Sequence, residues 1–129
     1  MGFVWHEYRP HEEGYTTVLG PLETRIMHIL WERTTATARE VYGLLREEDP
    51  AIRRSTVSIM LARLDERGLV GKTVCSGRGG LTYVYTVAVG RDAFEEEVAC
   101  AVVSSLVRAY GTVATACMRR YLNSKEEEK

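Results

Sequence analysis

The sequence predicts a mainly α-helical protein that contains one small β-hairpin and ends in two further helices. Apolar residues recur at helical spacing in five stretches of the chain. Two runs of β-branched and aromatic residues flank the glycine-rich segment 76–80, which is the usual signal of a hairpin. An apolar share of 45% with 27% charged residues is ordinary for a folded globular domain.

The length of 129 residues fits one domain with an appendage. We divide the chain into an irregular N-terminal arm (residues 1–18), a domain (residues 19–90) and a helical region with a charged tail (residues 91–129). No apolar run approaches the roughly 18–20 residues that cross a bilayer, and the N-terminus lacks a signal-peptide pattern. These features predict a cytoplasmic protein that does not contact the membrane.

The first two helices are predicted from their starting residues and their apolar faces. Pro21 suits the first position of helix 1, and Thr37 with Glu40 forms a capping box at the start of helix 2. A short extended piece lies between them. The predicted buried residues are Leu22, Ile26, Ile29 and Leu30 in helix 1, and Val41, Leu44 and Leu45 in helix 2.

Helix 3 is predicted to begin near Arg54 or Ser55 and to end at Gly68, with a polar face beside its apolar one. Its predicted buried residues are Val57, Met60, Leu61 and Leu64. Residues 51–90 carry six basic and two acidic side chains, a net charge of +4, whereas residues 1–50 carry a net charge of −4. A local basic patch is typical of a polyanion partner, and a solvated basic face is the alternative.

The predicted order of helix, short strand, two helices and hairpin is that of a winged helix-turn-helix domain, whose third helix enters the major groove of DNA. We therefore predict contacts to double-stranded DNA. Residues in the first turn of helix 3 would approach phosphates, the next turn would read base edges, and the hairpin would hold the backbone. The predicted contacts are Arg53, Arg54, Ser55, Thr56, Ser58, Ile59, Arg63, Lys72 and Arg78.

Four stretches of the chain resemble the penicillinase-repressor family of winged-helix transcription regulators. They read LGPLETRIMHILWE, TAREVYGLL, STVSIMLARLDERGLV and YVYTVAVGRDAF. The resemblance covers residues 19–122. It implies a homodimer that binds an inverted-repeat operator and represses β-lactam-resistance or related genes, with relief by a sensor-linked protease.

Individual residues also follow the family pattern. Thr56 matches its hydroxyl residue early in helix 3, and residues 63–64 and 68–70 match the helix end and the start of the wing. Ile59 departs from the pattern, because many family members have Thr there, so a different operator preference is expected. The cysteine pair that binds copper in the metal-responsive branch is absent.

The C-terminal helices are predicted to form the dimer. Helix 4 is apolar on more than one side between residues 99 and 107, which a small monomer cannot easily bury. The predicted dimerisation residues are Phe94, Val98, Val102, Leu106, Val113, Cys117 and Tyr121. The resemblance implies the same role for this region.

The sequence gives less support to a redox, metal-binding or catalytic function. The three cysteines, Cys75, Cys100 and Cys117, lack any C-x-x-C pair and are predicted to be buried and reduced, although oxidation of the latter two could alter a dimer. His6 and His11 could hold a metal only with ligands that the spacing does not supply, so we predict no metal and no cofactor. No nucleophile–base pair indicates an enzyme. The remaining alternatives are a winged helix that binds protein and a redox- or metal-responsive repressor.

Overall fold

A computed structural model describes residues 3–5 and 7–127 of the chain. The chain divides into two compact units, residues 1–91 and 92–129. The first unit contains a short 3₁₀ helix at Gly14–Thr17, followed by α1 (Pro21–Arg33), β1 (Thr35–Thr37), α2 (Ala38–Glu48), α3 (Arg54–Glu66), β2 (Val70–Gly77) and β3 (Gly80–Val87). The last two helices are α4 (Arg91–Tyr110) and α5 (Thr112–Glu127).

The predicted start of α2 is confirmed by both halves of its capping box. The Thr37 hydroxyl accepts a hydrogen bond from the Glu40 N–H at 3.1 Å, and the Glu40 carboxylate accepts one from the Thr37 N–H at 2.8 Å. Helix α1 starts at Pro21, as predicted, and there the Glu23 carboxylate accepts from the Gly20 N–H. These bonds satisfy backbone donors that a helix start leaves without intrahelical partners.

Three helices of the first unit supply most of its buried core, and the predicted faces are largely correct. The fully buried residues of these helices are Ile26, Met27 and Leu30 in α1, Val41 and Leu45 in α2, and Val57, Leu61 and Leu64 in α3. Met27 was not predicted. The predicted core residues Leu22, Ile29, Leu44 and Met60 are only half-buried. Ile29 and Leu44 line a surface groove between α1 and α2, because the face of α1 turns Met27 inward instead.

The three strands form one antiparallel sheet in the order β1-β3-β2. Pairing of β2 with β3 runs from Val70 opposite Val87 to Gly77 opposite Gly80, so Arg78 and Gly79 form the turn of the predicted hairpin. Helix α3 stops at Glu66, and Gly68 follows with φ of 83°, a backbone conformation that favours glycine. The architecture is that of a winged helix-turn-helix domain with additional C-terminal helices.

The N-terminal arm packs onto this domain, which the sequence did not predict. Phe3 is 7% exposed and Val18 is 4% exposed. Arg67, directly after α3, bonds both backbone polar groups of Val4 in the arm. Its backbone oxygen accepts from Val4 N–H at 2.8 Å, and its guanidinium Nε donates to the Val4 carbonyl at 2.9 Å. The guanidinium of Arg9 also donates to the carbonyls of Thr16 and Leu19. The arm is therefore a folded part of the first unit. His6, for which no metal-binding role with His11 is predicted above, lies outside the described residues.

The second unit has buried residues near the start of each helix and a long exposed apolar surface. Phe94, Val98 and Ala114 are buried. Gly111, with φ of 58°, separates α4 from α5 at the predicted break. The large exposed apolar residues are Val103, Leu106, Val107, Tyr110, Val113, Tyr121 and Leu122. Within the described part of the chain, no helix is long and apolar enough to span a membrane.

The prediction about the cysteines needs correction. All three cysteines are exposed, so the prediction that they are buried is wrong for the single chain. The apolar character of a thiol favours burial, but each of these cysteines lies on a side of its helix or strand that the rest of the chain does not cover. Phe94 and Val98 are buried within one chain, and their role in dimerisation stays a prediction.

Candidate nucleic-acid interface

Helix α3 has a buried face and an exposed face, and most of the predicted DNA-contacting residues lie on the exposed one. The buried face carries Val57, Leu61 and Leu64. The exposed face carries Arg54, Ser55, Ser58, Ile59, Ala62 and Arg63. Arg53 is exposed at the N-cap position, whereas Thr56 is half-buried. The structure therefore groups the predicted helix contacts on one side, with Thr56 at its margin.

Ile59 lies in the middle of this exposed face. It is 51% exposed, although a large aliphatic side chain gains free energy by leaving water. Ser58 beside it and Ala62 one turn later are also exposed and are small. The centre of the exposed face is thus uncharged, with small residues beside Ile59 and with arginines at both ends of the helix.

The arginines of the domain differ in their pairing. Four arginines outside the predicted interface pair with glutamates, in the pairs Arg9–Glu7, Arg25–Glu48, Arg33–Glu40 and Arg67–Glu23, with N···O distances of 2.8, 2.8, 2.9 and 3.2 Å. Arg39 and Arg46 lie outside the predicted interface too, but have no ion-pair partner among the described residues. The predicted basic contacts Arg53, Arg54, Arg63, Lys72 and Arg78 have no ion-pair partner among residues 3–5 and 7–127. Their charges remain available to an anionic ligand.

The hairpin carries the remaining predicted contacts at two separate places. Arg78 is exposed in the turn, and Lys72 lies near the start of β2, roughly 20 Å from the turn at the usual rise of a strand. The Lys72 ammonium lies over the ring of Tyr83, 4.8 Å from its centroid. Residues 68–90 contain no Asp or Glu. Only Arg78 is at the hairpin tip, so the two cations cannot contact the same phosphate.

A cleft between α2 and α3 adds three residues that were not predicted from the sequence. It has a volume of about 190 Å³ and is lined by Ala38, Arg39, Tyr42, Arg54 and Ser58. The guanidinium carbon of Arg54 lies 5.3 Å from the centroid of the Tyr42 ring. Two predicted contact residues therefore share a site with three residues from the preceding helix.

A signal for this cleft was present in the sequence. The capping box at Thr37 and Glu40 places Arg39 in the first turn of α2. A helix-turn-helix unit lets its first helix cross the DNA backbone while the second enters the groove. The start of α2 could therefore have been included in the predicted interface.

Two shifted pKa values have structural causes and do not indicate catalysis. The pKa of Glu40 is lowered, chiefly by the hydrogen bond from the Thr37 N–H and to a smaller extent by Arg33. Burial raises the pKa of Tyr85 in the sheet. Glu40 acts as a helix cap and Tyr85 as a core residue.

Comparison with known proteins identifies the family of the chain, although no curated protein matches it. The family model described as penicillinase repressor matches residues 19–129, which include both compact units apart from the N-terminal arm. With its winged helix-turn-helix architecture and its unpaired basic surface, the chain belongs to the penicillinase repressor family, a family of DNA-binding regulators of transcription.

Proposed function

We propose that this chain represses transcription by binding, as a homodimer, to a specific inverted-repeat operator in double-stranded DNA. The observation that carries the proposal is the exposed face of α3, whose arginines have no ion-pair partner among the described residues. Unpaired cations on a helix that suits the major groove match the charge and the dimensions of duplex DNA.

The residues of this face divide by the part of the DNA that they contact. Arg53, Arg54 and Ser55 lie at the start of α3 and bind phosphates, where backbone N–H groups add to the attraction. Ser58 and Ile59 contact base edges, with Ile59 suited to the methyl group of thymine. At the far end of the helix, Arg63 contacts the backbone or a guanine. In the wing, Arg78 and Lys72 hold the backbone at two positions.

The exposed apolar surface of α4 and α5 supports self-association. A second copy related by a two-fold axis would cover this surface and would present two α3 helices to successive major-groove faces, about one helical turn or a small multiple apart. The proposed dimer contacts are Val102, Val103, Leu106, Val107, Val113, Cys117 and Tyr121. Following the family resemblance, a sensor-linked protease relieves repression.

The proposal is tested by the salt dependence of DNA binding. Fluorescence anisotropy with labelled genomic fragments and with a random-sequence duplex should show binding that weakens steeply with salt, with a log–log slope of about −0.9 for each phosphate neutralised. Selected genomic fragments should bind more tightly than the random duplex. Salt-independent binding, or no binding to any duplex, would instead favour a winged helix that binds protein.

The dimer is tested by substitutions on the exposed surface. The double variant Val103→Glu with Val107→Glu should sediment as a monomer and should lose most of its affinity for a palindromic site, because two charged side chains would enter the interface. Ser104→Glu is the control for an added charge, since Ser104 is exposed and is not one of the proposed dimer contacts. A double variant that remains dimeric would show that self-association uses another surface.

A further inference from the structure

We infer that the cleft lined by Ala38, Arg39, Tyr42, Arg54 and Ser58 binds one phosphodiester group of the DNA backbone. We further infer that Tyr42 is a positioning residue for Arg54. The inference rests on the proposed function, and it assigns a specific role in DNA binding to helix α2. Helix α3 would then be fixed in the groove by a phosphate that is clamped between both helices of the helix-turn-helix unit.

The groups around the cleft match those of a phosphate. Arg39 and Arg54 bring two guanidinium groups, and both residues are exposed. Guanidinium groups donate parallel hydrogen bonds to phosphate oxygens. Ser58 lines the same cleft but is assigned to a base edge, as proposed above. Ala38 adds little bulk to the wall. The volume of about 190 Å³ admits a group of this size.

The charges around the cleft are not neutralised by the protein. Neither Arg39 nor Arg54 has an ion-pair partner among residues 3–5 and 7–127. The acid next in sequence, Glu40, is occupied elsewhere, because it accepts from the Thr37 N–H and pairs with Arg33 at 2.9 Å. An anion that enters the cleft would therefore meet two cations without a competing carboxylate.

Both arginines lie where the fold itself gains nothing from a positive charge. Arg39 is in the first turn of α2, and Arg54 is the first residue of α3. The N-terminus of a helix carries a partial positive charge, so a cation there is unfavourable and an anion is favourable. A bound phosphate would interact favourably with the N-termini of both helices and with both arginines. Binding of phosphate therefore explains why two arginines lie at positions where they do not stabilise the free protein.

Tyr42 holds Arg54 toward the cleft. The ring is half-buried, three residues after Arg39, so both side chains lie on the same face of α2. The guanidinium carbon of Arg54 lies 5.3 Å from the ring centroid, within the range of a cation–π interaction. This contact restricts the rotamers of a long side chain, so less conformational entropy is lost when the phosphate binds.

The test measures binding of the full-length protein to a random-sequence duplex over a range of salt concentrations. Arg39→Gln and Arg54→Gln should each lower the affinity about three- to tenfold and reduce the salt slope. The double variant should reduce the slope by roughly 0.9 in total, the value for one phosphate contact. Arg39→Gln should leave the urea midpoint unchanged or slightly raised, because it removes a cation from a helix N-terminus. Arg46→Gln is the control, because it removes an exposed charge in the last turn of α2, outside the cleft. It should change the affinity and the salt slope less than Arg39→Gln does.

The role of Tyr42 is tested by two substitutions and one double variant. Tyr42→Leu should weaken binding about two- to fivefold, and Tyr42→Phe should not, because phenylalanine keeps the ring. In the Arg54→Gln background, Tyr42→Leu should have no further effect. An equal effect of Tyr42→Leu in both backgrounds would show that Tyr42 acts without Arg54.

The outcomes separate this inference from the proposed function. If the unmodified protein binds duplex with a steep salt slope but Arg39→Gln binds equally well, the cleft is not a phosphate site and the proposed function stands. If Arg46→Gln lowers the slope as much as Arg39→Gln, the effect is one of net charge and the cleft is again refuted. If the unmodified protein binds no duplex, both are wrong.

Discussion

The two ends of helix α3 use arginine in opposite ways. At the C-terminal end, Arg67 donates hydrogen bonds to the carbonyl of Val4 and to the carboxylate of Glu23. At the N-terminal end, Arg53 and Arg54 are exposed and have no ion-pair partner among the described residues. The same side chain thus completes the fold at one end and is left for a ligand at the other.

The difference follows from what surrounds each end. At the C-terminal end the N-terminal arm and α1 supply carbonyls and a carboxylate, and the side chains of Arg67 and Glu23 are each 13% exposed. Partly buried charges are stable only when they are paired and hydrogen-bonded. At the other end, no acid of residues 3–5 and 7–127 forms an ion pair with Arg53 or Arg54, and both side chains are exposed to water, which solvates their charges. Replacing an arginine should therefore change stability at one end and DNA affinity at the other.

The largest expected effect is that of Arg67→Ala. The substitution leaves the Glu23 carboxylate without its cation in a largely buried position and removes one of the two hydrogen bonds that hold the arm at Val4. Breaking such a pair is costly, so we expect the free energy of unfolding to fall by about 2–4 kcal/mol. Urea denaturation followed by circular dichroism measures the change.

Arg63→Ala is the matched control, one turn earlier in the same helix. Arg63 is exposed and unpaired in the described residues, so its removal should change the free energy of unfolding by less than about 0.5 kcal/mol. It should instead weaken DNA binding. Equal losses of stability in the two variants would contradict the division between paired, largely buried arginines and unpaired, exposed ones.

The second prediction concerns the uncharged centre between the arginines. Ser58→Ala and Ile59→Thr should alter the preference for particular base pairs by roughly 1–3 kcal/mol, because these side chains lie where base edges are read. Binding to random duplex should change much less. Selection of bound sequences from a randomised pool, compared between the variants and the unmodified protein, measures this. An unchanged preference would place base reading elsewhere.

The third prediction concerns the wing. Arg78→Ala should weaken binding to all duplexes nearly alike, by about 1 kcal/mol, and should reduce the salt slope by about 0.9, because an arginine at the hairpin turn contacts the backbone. The turn is exposed, so the urea midpoint should not change. If specific and random duplexes both kept their affinity, the wing would not contact DNA.

The sequence predicted the fold well because the deciding signals are local. A capping box, a proline at a first helical position and a glycine-rich turn each act within a few residues of chain, and α1, α2 and the hairpin appear where these signals place them. The exposed residues of α3 were predicted for the same reason, since they follow from the helical period of Val57, Leu61 and Leu64.

The features that the sequence did not reveal depend on contacts between distant residues. In the sequence, Arg67 contributes only to the net charge of residues 51–90. Its partners, Val4 and Glu23, lie 63 and 44 positions away along the chain. The arm has no periodic pattern, so nothing local indicated that it folds. The pairing of Tyr42 with Arg54 likewise depends on how two helices pack. Composition therefore could not separate arginines of the fold from arginines of the interface.

The smallest expected effect concerns Arg33, which is paired but exposed. The side chains of Arg33 and Glu40 are 42% and 47% exposed, so water screens the ion pair. We expect Arg33→Ala to lower the free energy of unfolding by about 0.5 kcal/mol or less at neutral pH. Pairing alone would then not make an arginine important for stability, whereas pairing with burial, as at Arg67, would.

The pH dependence sharpens this last test. The pKa of Glu40 is lowered chiefly by the hydrogen bond from the Thr37 N–H, so most of the shift should survive in Arg33→Ala. A lowered pKa means that Glu40 stabilises the fold above its unfolded-state pKa of about 4.3 and that this contribution disappears as the pH falls through the folded-state value. Urea midpoints between pH 7 and pH 3 should therefore show that the advantage of the unmodified protein over Glu40→Gln shrinks on acidification. Arg33→Ala should keep most of the same decline. If Arg33→Ala abolished the decline, the exposed ion pair rather than the helix cap would control this carboxylate.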